Sequence, residues 1–237
     1  MIPISDQNRR QSFPWVTLLL VSINVVVFVF ELSLNDRQLQ RFMMSFGLVP
    51  RELATLVDLP PAGPRPIWLT IFTSMFIHAG WLHIGGNMLY LWVFGDNVED
   101  AMGKVRFLVF YLASGVAAAL AQTYVDPRST VPSVGASGAI AGVLGAYLVL
   151  YPSARVNTLF VFFFRIFVVP IPAVVVIGFW ALTQFFSGAA SLGIPTGQTE
   201  GVAYWAHIGG FVGGMVLVLV FWPRRRSKST LSDDWYR

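Results

Sequence analysis

GASGAIAGVLGAYLVLY, residues 135–151, is an apolar run too short for the work its composition implies. A helix crossing ~30 Å of bilayer hydrocarbon needs ~20 apolar residues at ~1.5 Å each. From Ser137 to Tyr151 the rise is only ~21 Å, roughly a turn and a half short. The polar run Asp126–Ser133 precedes it. A helix over Ser137–Tyr151 is therefore predicted to start below the outer surface, with Ser137 on the floor of a depression.

Outward from this stretch, five others qualify as spans or come close: Trp15–Leu34, His83–Val98, Val105–Val125, Ile166–Phe186 and Val202–Trp222. Together the six predict an all-α membrane protein, a six-transmembrane-helix bundle. The composition agrees. The 237 residues are 55% hydrophobic and only 12% charged, with a mean hydropathy of +0.65. Soluble domains carry roughly 25% charged residues, and half that density cannot cover a water-facing surface. The expected domains are a short N-terminal tail, 1–14, a six-span body, 15–222, and a basic C-terminal tail, 223–237. The first apolar run, ~18 residues, exceeds a signal-peptide core of roughly 7–15, and no small-residue cleavage site follows. A retained first span is expected. The apolar block from Leu159 to Phe186 is too long for one span and is cut by Arg165, so its Phe-rich beginning is expected to lie along the interface.

An even number of spans puts both ends on one side. Placing them in the cytoplasm leaves 11 Lys and Arg residues inside and 5 outside (Arg37, Arg41, Arg51, Arg65, Arg128), as the positive-inside rule requires. The net charge of +4 does not point to nucleic acid, because the cations sit beside apolar runs. Arg224, Arg225, Arg226 and Lys228 read as an orientation signal and a contact for anionic lipid. Short tails without a transit peptide point to a bacterial inner membrane. The first loop, 35–82, holds apolar segments too interrupted to span (Phe42–Val49, Ile67–Trp81). Irregular chain at membrane depth is tolerated only against protein or a water-filled cavity. The loop is therefore expected to be long, partly membrane-embedded and packed on the outer side of the bundle.

The chain has three histidines, His78, His83 and His207, all in or beside spans. Polar groups at depth are costly and mark function. From His207 to Trp222 the rise is ~22 Å, so His207 matches the depth of Ser137 measured from the cytoplasmic boundary. A serine at a helix start has unpaired backbone N–H groups and positive partial charge beside it, which suits an oxyanion. Gly135 and Gly138 flank the serine and leave room for a peptide backbone. As a pattern G-x-S-G occurs by chance; at the buried start of a span, with a histidine at equal depth, it is specific. Ala203, Ala206, Gly210, Gly213 and Gly214 form a small face around His207, answered by Gly138, Ala141, Gly142 and Gly145, which permits close helix packing. His83 and Asn87, four apart, share a helix face and can donate to an oxyanion or simply to another helix. No Asp or Glu lies well inside any predicted span, so Ser137 and His207 are the only nucleophile–base pair on offer.

Taken together, His83-Ile84-Gly85-Gly86-Asn87, Gly135-Ala136-Ser137-Gly138 and Ala206-His207-Ile208-Gly209-Gly210 with Gly213-Gly214 resemble the rhomboid family of intramembrane serine proteases over about residues 15–222. The resemblance implies Ser137 as nucleophile and His207 as general base. It also implies an oxyanion site of the Asn87 amide, the His83 ring, Gly135 and the Ser137 N–H. Substrates would be single-span or other transmembrane proteins, reaching the site beside span five. Glu99 and Gly103 match a structural feature of the family at the end of span two. Two departures stand out. The family's frequent Trp-Arg pair is missing, since Leu69 follows Trp68. Ala141 stands where many members place an aromatic ring against the histidine, so either another side chain holds the imidazole or its orientation is looser; a side chain of span five, such as Phe179 or Trp180, can fill the space.

No cofactor is expected. There are no cysteines, His78 and His83 lack a carboxylate or cysteine companion for a metal, and no G-x-x-x-x-G-K loop exists for phosphate. A proton relay or channel would need acidic partners at depth. The remaining alternative is a catalytically inactive rhomboid-like protein that binds transmembrane clients, against which the intact serine and histidine argue.

Overall fold

A computed structural model describes residues 1–8, 10–192 and 203–222. The basic run Arg224–Arg226 with Lys228, the rest of the 223–237 tail, Arg9 and Val202 lie outside the described residues.

Six long helices dominate: α1 (Trp15–Glu31), α5 (Trp81–Met102), α6 (Lys104–Val125), α7 (Ser137–Leu150), α8 (Ala173–Ser191) and α9 (Tyr204–Val220). By length and hydropathy, α6 and α8 can each cross a membrane; α5 meets the same test only together with Ile67–Phe76, from which it is bent by 86°, and α1, α7 and α9 are apolar but shorter. The central element is α7. Every residue from Gly138 to Tyr147 is buried, with α5, α6, α8 and α9 packed around it. An unbroken apolar run is what a helix enclosed on all sides requires.

Glycine sets the closest contacts. A Cβ on Gly210 or Gly214 would run into the backbone of Gly138 or Gly142, so α7 and α9 meet main chain to main chain. The other glycines of the pattern serve a different neighbour, since Gly209 and Gly213 pack on Ala121 and Ala117 of α6. The start of α9 is fixed by Gln122, whose side chain accepts the Ala206 N–H at 3.2 Å.

Between α1 and α5 the chain forms α2 (Asp36–Phe46), α3 (Pro50–Thr55), and α4 (Thr70–Thr73) between two single-turn helices. Asn35 and Gln38 form a capping box that starts α2, and this is why α1 stops at Glu31 rather than Leu34. The segment is more helical than the sequence implied. Leu48 pairs with Ser133, tying it to the loop before α7. At the opposite ends of the helices, the Glu99 carboxylate accepts the Val16 and Thr17 N–H groups (3.0 and 2.7 Å) and the Thr17 hydroxyl (2.8 Å). The start of α1 has no cap of its own, so a carboxylate from α5 supplies one. Four residues on, Gly103 reverses the chain into α6 at a φ of +85°.

The chain is not all-α. Residues Ile2–Asp6 (β1), Arg155–Phe162 (β2) and Arg165–Pro172 (β3) form an antiparallel sheet in the order β1-β2-β3. The stretch expected to begin span five at Ile166 is strand as far as Pro172, and helix starts only at Ala173. Pro170 and Pro172 lack the N–H a helix needs, and the β-branched run around them favours a pleated surface. Residues 1–14 are likewise more than a tail, because β1 closes the sheet. Tyr147 and Asn97 both donate to the Asp6 carboxylate, at 2.5 and 2.9 Å, which fastens β1 beneath α5 and α7.

Candidate active site

Ser137 is the first residue of α7, and His207 lies in the first turn of α9. Glycine interlocking of these helices brings the two side chains together, with His207 Nε2 2.8 Å from Ser137 Oγ. The other edge of the imidazole has a partner the sequence did not reveal. Nδ1 is 2.7 Å from Gln184 Oε1, and an amide oxygen there can only accept, so Nδ1 carries its hydrogen and donates. Nε2 is then the unprotonated nitrogen, free to accept from the serine hydroxyl. The Trp180 ring stands 6.0 Å from the His207 ring at a tilt of 39°. Both Gln184 and Trp180 belong to α8. Trp180 occupies the role left open by Ala141, which is fully buried; Phe179 faces outward.

A third group converges from α5. A Cβ built on Gly135 would lie 2.6 Å from His83 Nε2 and 3.5 Å from Asn87 Nδ2. Only glycine fits there, at a φ of +120°. The Gly135 N–H donates to the Ser74 carbonyl at 2.8 Å, so Gly135 offers room rather than a donor. The Ala79 N–H points at His83 Nδ1, at 3.4 Å. With Nδ1 accepting, Nε2 carries the proton and faces the same space. Asn87 Nδ2 is 2.9 Å from His78 Nε2, so one amide N–H serves that ring, and an amide nitrogen carries a second. Glu31 holds the segment before α5 in turn, its carboxylate accepting the His78 N–H at 3.2 and 3.3 Å. Gln184 and Glu31 were legible only as isolated polar residues in apolar runs, a signal that marks both.

These side chains line a cleft of about 540 Å³, walled by Ala79, Leu82, Tyr90, Ile140, Trp180 and Ala203 around Ser137, His207, His83 and Asn87. The arrangement can transfer a proton from a serine hydroxyl to a ring nitrogen and present several N–H donors to a developing negative charge. No group of three or more metal-binding side chains occurs among the described residues.

The Rhomboid domain matches residues 65–224, more than half of the chain. The chain is 30% identical over 202 residues to Rhomboid protein 1, mitochondrial, of Saccharomyces cerevisiae, covering 83% of this chain and 50% of that protein. It is 33% identical over 150 residues to Rhomboid protease GluP of Bacillus subtilis, covering 63% and 26%. Against Rhomboid protease AarA of Providencia stuartii the identity is 29% over 223 residues, covering 87% and 72%. The chain thus spans half or less of the first two relatives. The matched stretch contains the cleft and every helix that builds it, and the chain belongs to the rhomboid family of multi-pass integral membrane proteins.

Proposed function

We propose that the chain is an intramembrane serine endopeptidase that hydrolyses peptide bonds in or near the transmembrane segments of other membrane proteins. The observation carrying this reading is the contact of 2.8 Å between His207 Nε2 and Ser137 Oγ, within the range proton transfer needs. In the first step Ser137 Oγ attacks the scissile carbonyl carbon while its proton passes to Nε2. The carbonyl oxygen becomes an oxyanion, received by Asn87 Nδ2, His83 Nε2–H and the Ser137 N–H at the start of α7. Collapse expels the amine, which takes the proton from His207, and water then hydrolyses the acyl-serine by the same route. Gln184 is a positioning residue that holds the base in its working tautomer, in the place an aspartate takes in a three-member triad.

In this reading the six long helices all span the bilayer, with both ends of the body on the cytoplasmic side and Ser137 sunk below the opposite surface. Substrates are single-span or other transmembrane proteins. The test is purified protein in detergent with a tagged single-span substrate, beside a Ser137→Ala preparation. Cleavage by the first and none by the second is expected. Cleavage retained by Ser137→Ala would overturn the mechanism. An intact chain that binds the substrate without cutting it would favour the client-binding alternative.

A further inference from the structure

The sheet exposes apolar side chains most at its β2–β3 hairpin and along β3. At the β1 side Ile2 and Ile4 are also exposed, but Asn157 hydrogen-bonds to both Gln7 and Ser5, and Arg10 pairs with Asp96 at 3.1 Å. The β2–β3 hairpin turns through Phe163 and Phe164, whose side chains are 81% and 101% exposed. Beyond the turn, β3 exposes Ile166, Phe167, Val168 and Val169 in succession, apolar on both faces. β3 is also the sheet's edge. In water, a long apolar edge strand invites aggregation. In hydrocarbon, its unpaired backbone groups would each cost several kcal/mol. Only the boundary between headgroups and acyl chains satisfies both, because apolar side chains can sink there while the backbone stays wet.

Two features identify that boundary as the cover. β3 runs straight into α8, whose first exposed residues, Val174 and Val175, continue the apolar surface onto a membrane helix. Arg165, exposed and next to the phenylalanine tip, is placed to meet an anionic headgroup. We propose that the β2–β3 hairpin is an interfacial anchor, with Phe163 and Phe164 at the acyl boundary and Arg165 among anionic headgroups, on the side of the bilayer away from Ser137. The anchor leads directly into the helix that carries Trp180 and Gln184.

The chain has no cysteine, so one introduced thiol reports one site. Phe164→Cys, with Ile166→Cys as a second probe and Ser5→Cys as the aqueous control, is labelled with an environment-sensitive fluorophore. The full-length protein is placed in phosphatidylcholine vesicles with and without phosphatidylglycerol. At positions 164 and 166 the expected result is several-fold weaker quenching by iodide than at Ser5. Nitroxides near the headgroup should quench them more strongly than nitroxides deep in the chain. Phosphatidylglycerol should deepen the protection, and Arg165→Gln should remove that increment. Iodide quenching at 164 and 166 equal to that at Ser5 would overturn the proposal, as would stronger quenching by deep nitroxides. Protection that rises with protein density at fixed lipid would assign the edge to a second copy of the chain and equally overturn it.

Discussion

Gln184→Leu is the sharpest test of how the base is held. The substitution keeps most of the side-chain volume and removes the acceptor 2.7 Å from His207 Nδ1. A hydrogen bond between neutral groups contributes ~0.5–1.5 kcal/mol net, and a buried donor left unsatisfied costs ~1–3 kcal/mol. His207 is only half-buried, so water can recover part of the loss, and about 1–2 kcal/mol should remain. That is roughly a 5–30-fold loss of rate. The loss should fall on kcat with KM little changed, because Gln184 lines the neighbouring apolar cavity between α8 and α9 rather than the cleft. Gln184→Glu keeps an acceptor and should restore most of the rate. Steady-state cleavage of a transmembrane substrate in liposomes measures both constants, and the ring-nitrogen chemical shifts of His207 report the tautomer directly. A Gln184→Leu enzyme within two-fold of the parent, with an unchanged tautomer, would refute the reasoning. So would a defect confined to KM.

His207→Ala should abolish cleavage with the fold intact, as judged by an unchanged melting profile and retained substrate binding. Asn87→Ala removes one oxyanion donor, a change worth ~2.7–4 kcal/mol of barrier, so turnover should fall about 10²–10³-fold; an effect on apparent affinity alone would return Asn87 to packing. Ala141→Phe should destabilise by ~1–3 kcal/mol, because Ala141 is buried and Trp180 already stands by the imidazole; a melting midpoint at or above the parent's would contradict this. Burial raises the Asp6 carboxyl above its ordinary range despite the donors Tyr147 and Asn97, so the stability it contributes is present in full at low pH and lost as pH rises through the raised value. Asp6→Asn should therefore hold or raise the melting midpoint at neutral pH, with the advantage fading in acid, and a loss at neutral pH would oppose it.

Much of this protein was legible in one dimension. Hydropathy over tens of residues located the long helices because the bilayer imposes a length and a composition on whatever crosses it. The equal depth of Ser137 and His207 could be read from the sequence, since helical rise converts residue count into distance along the membrane normal. The glycines of 138–145 and 210–214 marked where helices approach, because no other residue permits that contact. Lateral position was not legible. Which side of His207 faces α8 depends on helix rotation, and so the role of Gln184, and the choice of Trp180 over Phe179, emerged only when the helices were packed. Nor could rise per residue separate a β-hairpin from an interfacial helix over 155–172, where β-branched residues, two prolines and the distant strand Ile2–Asp6 together decide the outcome. Sequence fixes what each segment must bury along its own axis. The closing of a site from four helices requires contacts between residues on different helices, 23 positions apart for Gln184 and His207 and 70 for Ser137 and His207, and only the tertiary structure supplies them.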